Sequence, residues 1–280
     1  MDSADERGSG VELTVAASGD HWRDYAKRWG RIRPPLRPTR GVVDAIRDSV
    51  AQRDRRVLLL GVTPELSQAF PNLLAVDKNA EMIARWWPGD TPTRRALCAN
   101  WLTLPLSTGP FSAVVSDGAL SNVAYPDDTA ILLRQARDLL EPGGRFVSRL
   151  FERPDDPWSY EALVAEASRP ATVNFHAFKW KLAMRLAEEE GASLPVQRIL
   201  DVFNRLLPDR QRLASATGWA PEDINTIDVY EGSDIIYAFP NRAELLDLIP
   251  SGFGAARVVP CGGYDLAECC PILVLEREPA

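Results

Sequence analysis

Five short apolar segments are spaced along the first half of the chain: RVLLLG (56–61), NLLAVD (72–77), RALCA (95–99), FSAVVSD (111–117) and RFVSRLF (145–151). Runs of this length without polar alternation fit strands buried on both faces, and such strands alternate with helices in parallel sheets. Helical segments lie between them. One starts at Pro64, and NAEMIARWW (79–87) ends at Pro88 and Gly89. DDTAILLRQARDLL (127–140) carries Ile131, Leu132, Ala136 and Leu139 close to helical spacing before EPGG (141–144) breaks it. The predicted fold class is α/β, a doubly wound, mostly parallel sheet.

Two helices are expected before the first strand, at 20–29 and 41–52, separated by the proline-rich RIRPPLRP. Residues 1–10 are expected to be disordered. After Phe151 the pattern changes to helices at 158–168, 174–190 and 195–217. Phe175, Phe178, Leu182 and Leu186 make one stripe, and Ile199, Phe203 and Leu206 another. A mixed stretch (226–240), a helix (241–249) and two strands, AARVVP (255–260) and PILVLERE (271–278), complete the chain. The division expected is a tail and helical lid (1–54), a Rossmann-like half (55–151), a helical insertion (152–252) and terminal strands (253–280).

A net charge of −7 disfavours a general polyanion binder, so nucleic acid is not an expected partner. The segment RWGRIRPPLRPTR (28–40) is the local exception, with five arginines and no acid. It fits either a solvated arm or a clamp over an anionic ligand. No stretch reaches the roughly 20 apolar residues needed to span a bilayer. MDSADERGSGVEL lacks the apolar run of a secretory signal, so a cytoplasmic protein with no membrane partner is expected. Cys98, Cys261, Cys269 and Cys270 form no CxxC pair and are expected to be reduced and structural. With His21 and His176 the only histidines, no metal site is expected.

The turn after the first strand carries the functional signal. A strand ending in Gly61 and turning into a helix presents backbone N–H groups at the carboxyl edge of the sheet. Thr63 suits an N-cap, Pro64 the first helical position and Glu65 the first turn. A dinucleotide site would need further glycines for close approach to two phosphates. Glu65 opposes phosphate and tolerates an ammonium or sulfonium. Asp77, ending the second strand, can accept both hydroxyl protons of a ribose, or can cap the next helix. Asn100 follows the third strand, and its amide can pair with an adenine edge. Met82 can pack on a purine face.

These segments resemble the class I S-adenosylmethionine-dependent methyltransferases. VLLLGVTPEL, LLAVDKNAEMI, CANWLTLPL and FSAVVSDGAL match the family's first four motifs. RQARDLLEPGGRFVSRLF matches the helix, turn and fifth strand that follow, and is the most specific of the five. The resemblance covers about residues 55–151, and the last two strands look like the antiparallel pair that completes the family's seven-stranded sheet. It implies S-adenosylmethionine as cofactor. Gly61 with the backbone of Val62 and Thr63 would approach the methionine part, with Glu65 in the same turn. Asp77, with Lys78 beside it, would hold the ribose. Met82, Asn100 and Trp101 would surround the adenine, and Asp117 would face the methionine end or the transfer site. Leu59 stands where the family often has an acid, and Thr63 and Glu65 replace glycines.

Methyl transfer is an in-line displacement, and a base is needed only for an acceptor protonated at neutral pH. The catalytic residue is not named by the sequence. His176, Asp117 and Tyr230 are the candidates, with Tyr237 beside them, and His176 also fits a helix-packing role. In this family the insertion after strand five often builds the acceptor pocket, and Trp22, Tyr25, Trp29 and Arg37 could close over the cofactor as a lid. No D/N-P-P-Y/F sequence follows strand four, which disfavours an exocyclic-amine nucleic-acid enzyme. The expected function is O- or N-methylation of a small-molecule acceptor. The alternatives are a non-catalytic binding or scaffold protein of the same fold, and an RNA- or protein-modifying enzyme. The sequence gives no oligomeric state.

Overall fold

A computed structural model of the chain describes residues 17–279. The expectation of disorder at 1–10 lies outside the described residues, as does the side chain of Tyr25. Helix α1 (Ala17–Arg28) leads through the proline-rich arm to α2 (Arg40–Ser49). The Thr39 hydroxyl starts α2 by accepting from the Val42 N–H. Then come β1 (Val57–Leu60), α3 (Pro64–Ser67), β2 (Leu73–Asp77), α4 (Ala80–Trp86), β3 (Arg94–Cys98), β4 (Phe111–Asp117), α5 (Asp127–Leu139) and β5 (Leu140–Arg149). The insertion holds α6 (Tyr160–Glu166), α7 (Phe175–Glu190), β6 (Ser193–Pro195), α8 (Val196–Leu206), α9 (Arg210–Thr217), α10 (Pro221–Ile224) and β7 (Ile236–Ala238). Helix α11 (Arg242–Leu246) and strands β8 (Arg257–Val259) and β9 (Ile272–Glu276) follow.

The sheet has seven strands in the order β3-β2-β1-β4-β5-β9-β8. The first five run parallel, and β9 is antiparallel to both β5 and β8. The all-apolar β1 lies at the centre because both of its faces are covered. Val57 and Leu59 pack with Val42, Ile46, Leu66 and Phe70 on one face. Leu58 and Leu60 pack with Leu132, Leu133 and Leu245 on the other. After β3 the chain returns past β1 to form β4, so the order reverses between these two central strands. A crevice opens at the carboxyl ends of the strands at such a reversal.

Helix α3 starts at Pro64 as expected and is a single turn. Three sequence expectations change. Strand β3 is the sheet edge and is partly exposed rather than buried on both faces. The helix expected over 195–217 breaks at Pro208, and the Asp209 carboxylate caps α9 through the Arg212 N–H. The insertion also contains a two-stranded antiparallel pair, β6 with β7. Helix α7 is buried almost all round, including His176, Lys179 and Lys181, so it is the centre of the insertion's own core. No helix among the described residues is long and apolar enough to cross a membrane.

Candidate active site

A cavity of about 450 Å³ occupies the crevice between β1 and β4. Its floor is the turn after β1. Gly61 has φ +100°, a conformation only glycine takes without strain. A Cβ built there meets nothing nearer than the Trp101 ring at 4.0 Å, so open space lies beside this backbone. Thr63 precedes α3 but its hydroxyl makes no capping bond. One turn of helix also presents too little dipole for the role expected of it.

Asp77, Lys78 and Met82 line the next wall. The alternative role for Asp77, capping α4, belongs instead to Asn79, whose side chain accepts from the Met82 N–H at 2.9 Å. One Asp77 oxygen accepts from the Asn79 N–H at 2.8 Å. Burial pushes the Asp77 carboxyl up to about 6, against that hydrogen bond and the nearby Lys78 charge. Trp101 is fixed by its indole N–H, which donates to the Val76 carbonyl at 2.6 Å. The Asn100 side-chain oxygen already accepts from the Leu102 N–H at 3.0 Å, leaving it one lone pair for a ligand.

Glu65 does not line the cavity. It pairs with Arg37 of the arm at 2.5 Å, and its other oxygen is buried with no hydrogen-bond partner among the described residues. The arm is solvated at Arg31, Arg33 and Arg40, while Arg28 and Arg37 are engaged elsewhere and not free to clamp a ligand. Arg37 is spent on Glu65, Arg28 donates to the carbonyls of Asn225 and Thr226, and Arg40 lies near Asp44. Trp22 and Trp29, from the same region, do form part of the cavity wall.

Asp117 ends β4 and lines the cavity, but both of its oxygens are held by Arg149 of β5, at 2.5 and 3.1 Å. The two side chains are 4% and 0% exposed. Burial pushes the Asp117 carboxyl up and the guanidinium pulls it back. Arg149 also donates to the Pro35 carbonyl at 2.6 Å and to the Tyr264 hydroxyl at 3.3 Å, fastening the arm to the sheet. Gly118 then turns the chain with φ +75°, where a Cβ would meet the Phe151 ring at 2.5 Å.

The other two base candidates do not reach the cavity. His176 is fully buried, with Nε2 3.2 Å from the Arg31 carbonyl. Burial, reinforced by Lys179, lowers its pKa to about 3, so it is neutral at ordinary pH. Tyr230 is also buried, its ring stacked on His21 and 4.7 Å below the Lys179 amine. Of the named candidates Asp117 alone meets the cavity, and its ion pair removes it as a free base. Sequence reasoning missed the wall formed by Ala119, Asn122, Val123 and Ala124, and the acids Asp128 and Asp234. The GALSNVA segment after β4 has no charged motif to mark it, and Asp234 reaches the site only through the insertion's own fold.

A smaller chamber of about 70 Å³ adjoins the cavity and shares Trp22, Trp29, Thr63, Asp117 and Asn122 with it. Phe151, Trp180 and Tyr237 close it from the insertion side. Tyr237, which lines it, has its phenol pushed up by burial.

A family model described as a methyltransferase domain matches residues 61–148, the stretch from Gly61 into β5. A search of curated proteins finds no match. Among solved structures, the CcbJ methyltransferase of Streptomyces caelestis is 16% identical, with a TM-score of 0.54 over 94% of this chain and 99% of that one. A candidate methyltransferase from Haloferax volcanii, held in complex with the Trm112 methyltransferase activator, is 12% identical with a TM-score of 0.53, covering 95% and 100%. A Rhodobacter sphaeroides structure described as a candidate Zn-dependent alcohol dehydrogenase is 12% identical with a TM-score of 0.60, covering 93% and 99%. At these identities the likeness is one of fold, and the last of the three is named for a different chemistry. The family model matches the strands and turns that build the cavity floor. Residues 61–148 are thus similar to a methyltransferase domain, and the seven-stranded sheet that contains them has a fold shared with the CcbJ methyltransferase.

Proposed function

We propose that this chain is an S-adenosylmethionine-dependent methyltransferase that acts on a small organic molecule, at oxygen or nitrogen, with residues 152–252 forming much of the acceptor side. The observation that supports this is the aromatic chamber of about 70 Å³ adjoining the main cavity, walled by α1 and the insertion. A chamber so small suits a few heavy atoms of a compact ligand.

The residues of the main cavity fit the cofactor's chemistry. Its wall carries Asp77, Asp128 and Asp234, beside the ion-paired Asp117, against Lys78 as the one basic residue named in it, a balance that favours a positively charged ligand. Asp77 has an oxygen left to accept from a diol. In this reading Gly61, Val62 and Thr63 give backbone contact to the methionine part, and Asp77 and Lys78 flank the ribose. Met82, Asn100 and Trp101 enclose the adenine, while Asp117 borders the methionine end as half of an ion pair. Bound S-adenosylmethionine supplies a methyl group on a sulfonium. The chain's part is to orient the acceptor and to exclude water, which Trp22 and Trp29 do as wall.

Calorimetric titration with S-adenosylmethionine and S-adenosylhomocysteine, beside Asp77→Ala, tests the cofactor half. Binding at least tenfold weaker in the variant is expected; equal binding in both proteins would refute the ribose assignment. Incubation with methyl-labelled cofactor and a metabolite extract tests the acceptor half. Label should appear in small molecules rather than in protein or RNA.

A further inference from the structure

The small chamber bears on which atom accepts the methyl group, an inference that rests on the cofactor reading above. Five of its wall residues are aromatic: Trp22, Trp29, Phe151, Trp180 and Tyr237. The last three are set edge to face, Phe151 to Trp180 at 5.7 Å and Trp180 to Tyr237 at 5.3 Å. Aromatic walls of this kind stabilise organic cations through the negative faces of the rings.

The same walls provide no base. Asp117 is the one carboxylate among them, and both of its oxygens are taken by Arg149. Tyr237 has its phenol pushed up by burial. An alcohol or phenol would have to give up its proton during attack, with nothing in the chamber placed to receive it. An amine can lose its proton to solvent before it enters.

We propose that the accepting atom is an amine nitrogen of a small molecule, and that this aromatic chamber holds the ammonium group that methyl transfer creates. The nitrogen lone pair forms the new N–C bond, and the C–S bond breaks with its electron pair passing to sulfur. The positive charge moves from sulfur to nitrogen, into the aromatic walls. Asp128 and Asp234, which line the larger cavity and have no ion pair among the described residues, add negative potential nearby.

Protein cations already sit over three of the rings: Arg37 over Trp29, Arg149 over Phe151 and Lys179 over Trp180. Arg37 and Arg149 are neutralised by Glu65 and Asp117. Burial, then the charge of Arg28, lowers the Lys179 amine to about 7, so at neutral pH it opposes a ligand cation only in part.

The test compares choline with 3,3-dimethylbutan-1-ol, its uncharged carbon isostere, by ligand-observed NMR titration of the protein saturated with S-adenosylhomocysteine. Choline should bind at least tenfold more tightly. Trp180→Leu and, independently, Tyr237→Leu should reduce that preference to less than threefold, with retained S-adenosylhomocysteine binding showing that the fold is intact. Equal or tighter binding of the alcohol, or no binding of either while S-adenosylhomocysteine is held, would overturn the proposal. Failure to bind S-adenosylhomocysteine at all would overturn the cofactor reading and the proposal with it, and the two failures are told apart by that first titration.

Discussion

Replacing Arg149 by methionine should be among the most costly single changes in the sheet. The variant leaves the Asp117 carboxylate, 4% exposed, with no counter-charge, and removes the donors to the Pro35 carbonyl and the Tyr264 hydroxyl. Breaking a buried pair by removing one partner costs about 3–5 kcal/mol, mostly from the uncompensated charge left behind. A loss of about 4 kcal/mol corresponds to a fall of roughly 7 °C in Tm for a chain of this size. Asp117→Asn should cost less than Arg149→Met, because the amide oxygen still accepts one bond. The double variant should recover at least about 2 kcal/mol relative to the sum of the singles, since the charges are coupled. In Arg149→Met the loss should grow from pH 5 to pH 8, because burial already pushes the Asp117 carboxyl up and a proton at low pH removes the stranded charge. Equilibrium urea unfolding followed by circular dichroism measures all three proteins. A single-variant loss under about 1 kcal/mol, or strict additivity in the double variant, would refute the view that this pair is a coupled anchor.

Asp77 should make ligand binding pH-dependent: the ionised carboxylate accepts from a diol more strongly than the neutral acid, so with its carboxyl at about 6 S-adenosylhomocysteine affinity should be flat above pH 7 and weaken below 6 in a calorimetric pH series. The same raised value means the folded state takes up the proton more readily than the unfolded chain. The ionised group is therefore destabilising at neutral pH, and the penalty fades as pH falls from about 6 toward 4. Asp77→Asn should thus be more stable than the parent at pH 7.5, by roughly 2–3 kcal/mol in urea unfolding, and no more stable at pH 4. Gly61→Ala, forced to φ +100°, should lose about 1–3 kcal/mol and weaken S-adenosylhomocysteine binding measurably in the same titration. His176→Leu should leave that affinity within twofold, because the imidazole does not border the cavity; a tenfold loss would return His176 to the site.

The strands of the parallel half were legible because an all-apolar run such as VLLL has one stable placement, between two covered faces. What the sequence concealed was pairing at a distance. Glu65 was legible as an acid in the turn, but its partner Arg37 lies 28 residues earlier, and that pair turns the acid away from the ligand's path. In α7, His176, Lys179 and Lys181 look like the wet side of an amphipathic helix. Lys181 is in fact paired with Glu166, and Lys179 rests on aromatic rings. A helix enclosed on all sides has no polar face, and periodicity cannot distinguish an interrupted stripe from complete burial. Around the cavity, Gly61, Asp77, Asn100 and Trp101 were legible because each lies at or just beyond a strand end, and Met82 because it lies in the first turn of the helix that follows β2. Asp234 was not, because no strand of the main sheet leads to it.

The reversal of strand order between β1 and β4 has an evolutionary consequence. The cleft is made by the route of the backbone, so it survives the loss of any particular contact along its rim. Rim residues such as Thr63 and Asn100 can then change while the opening itself is kept by the strand order. Selection then acts on the contacts one at a time, and sequence identity falls well before the capacity to hold a ligand does.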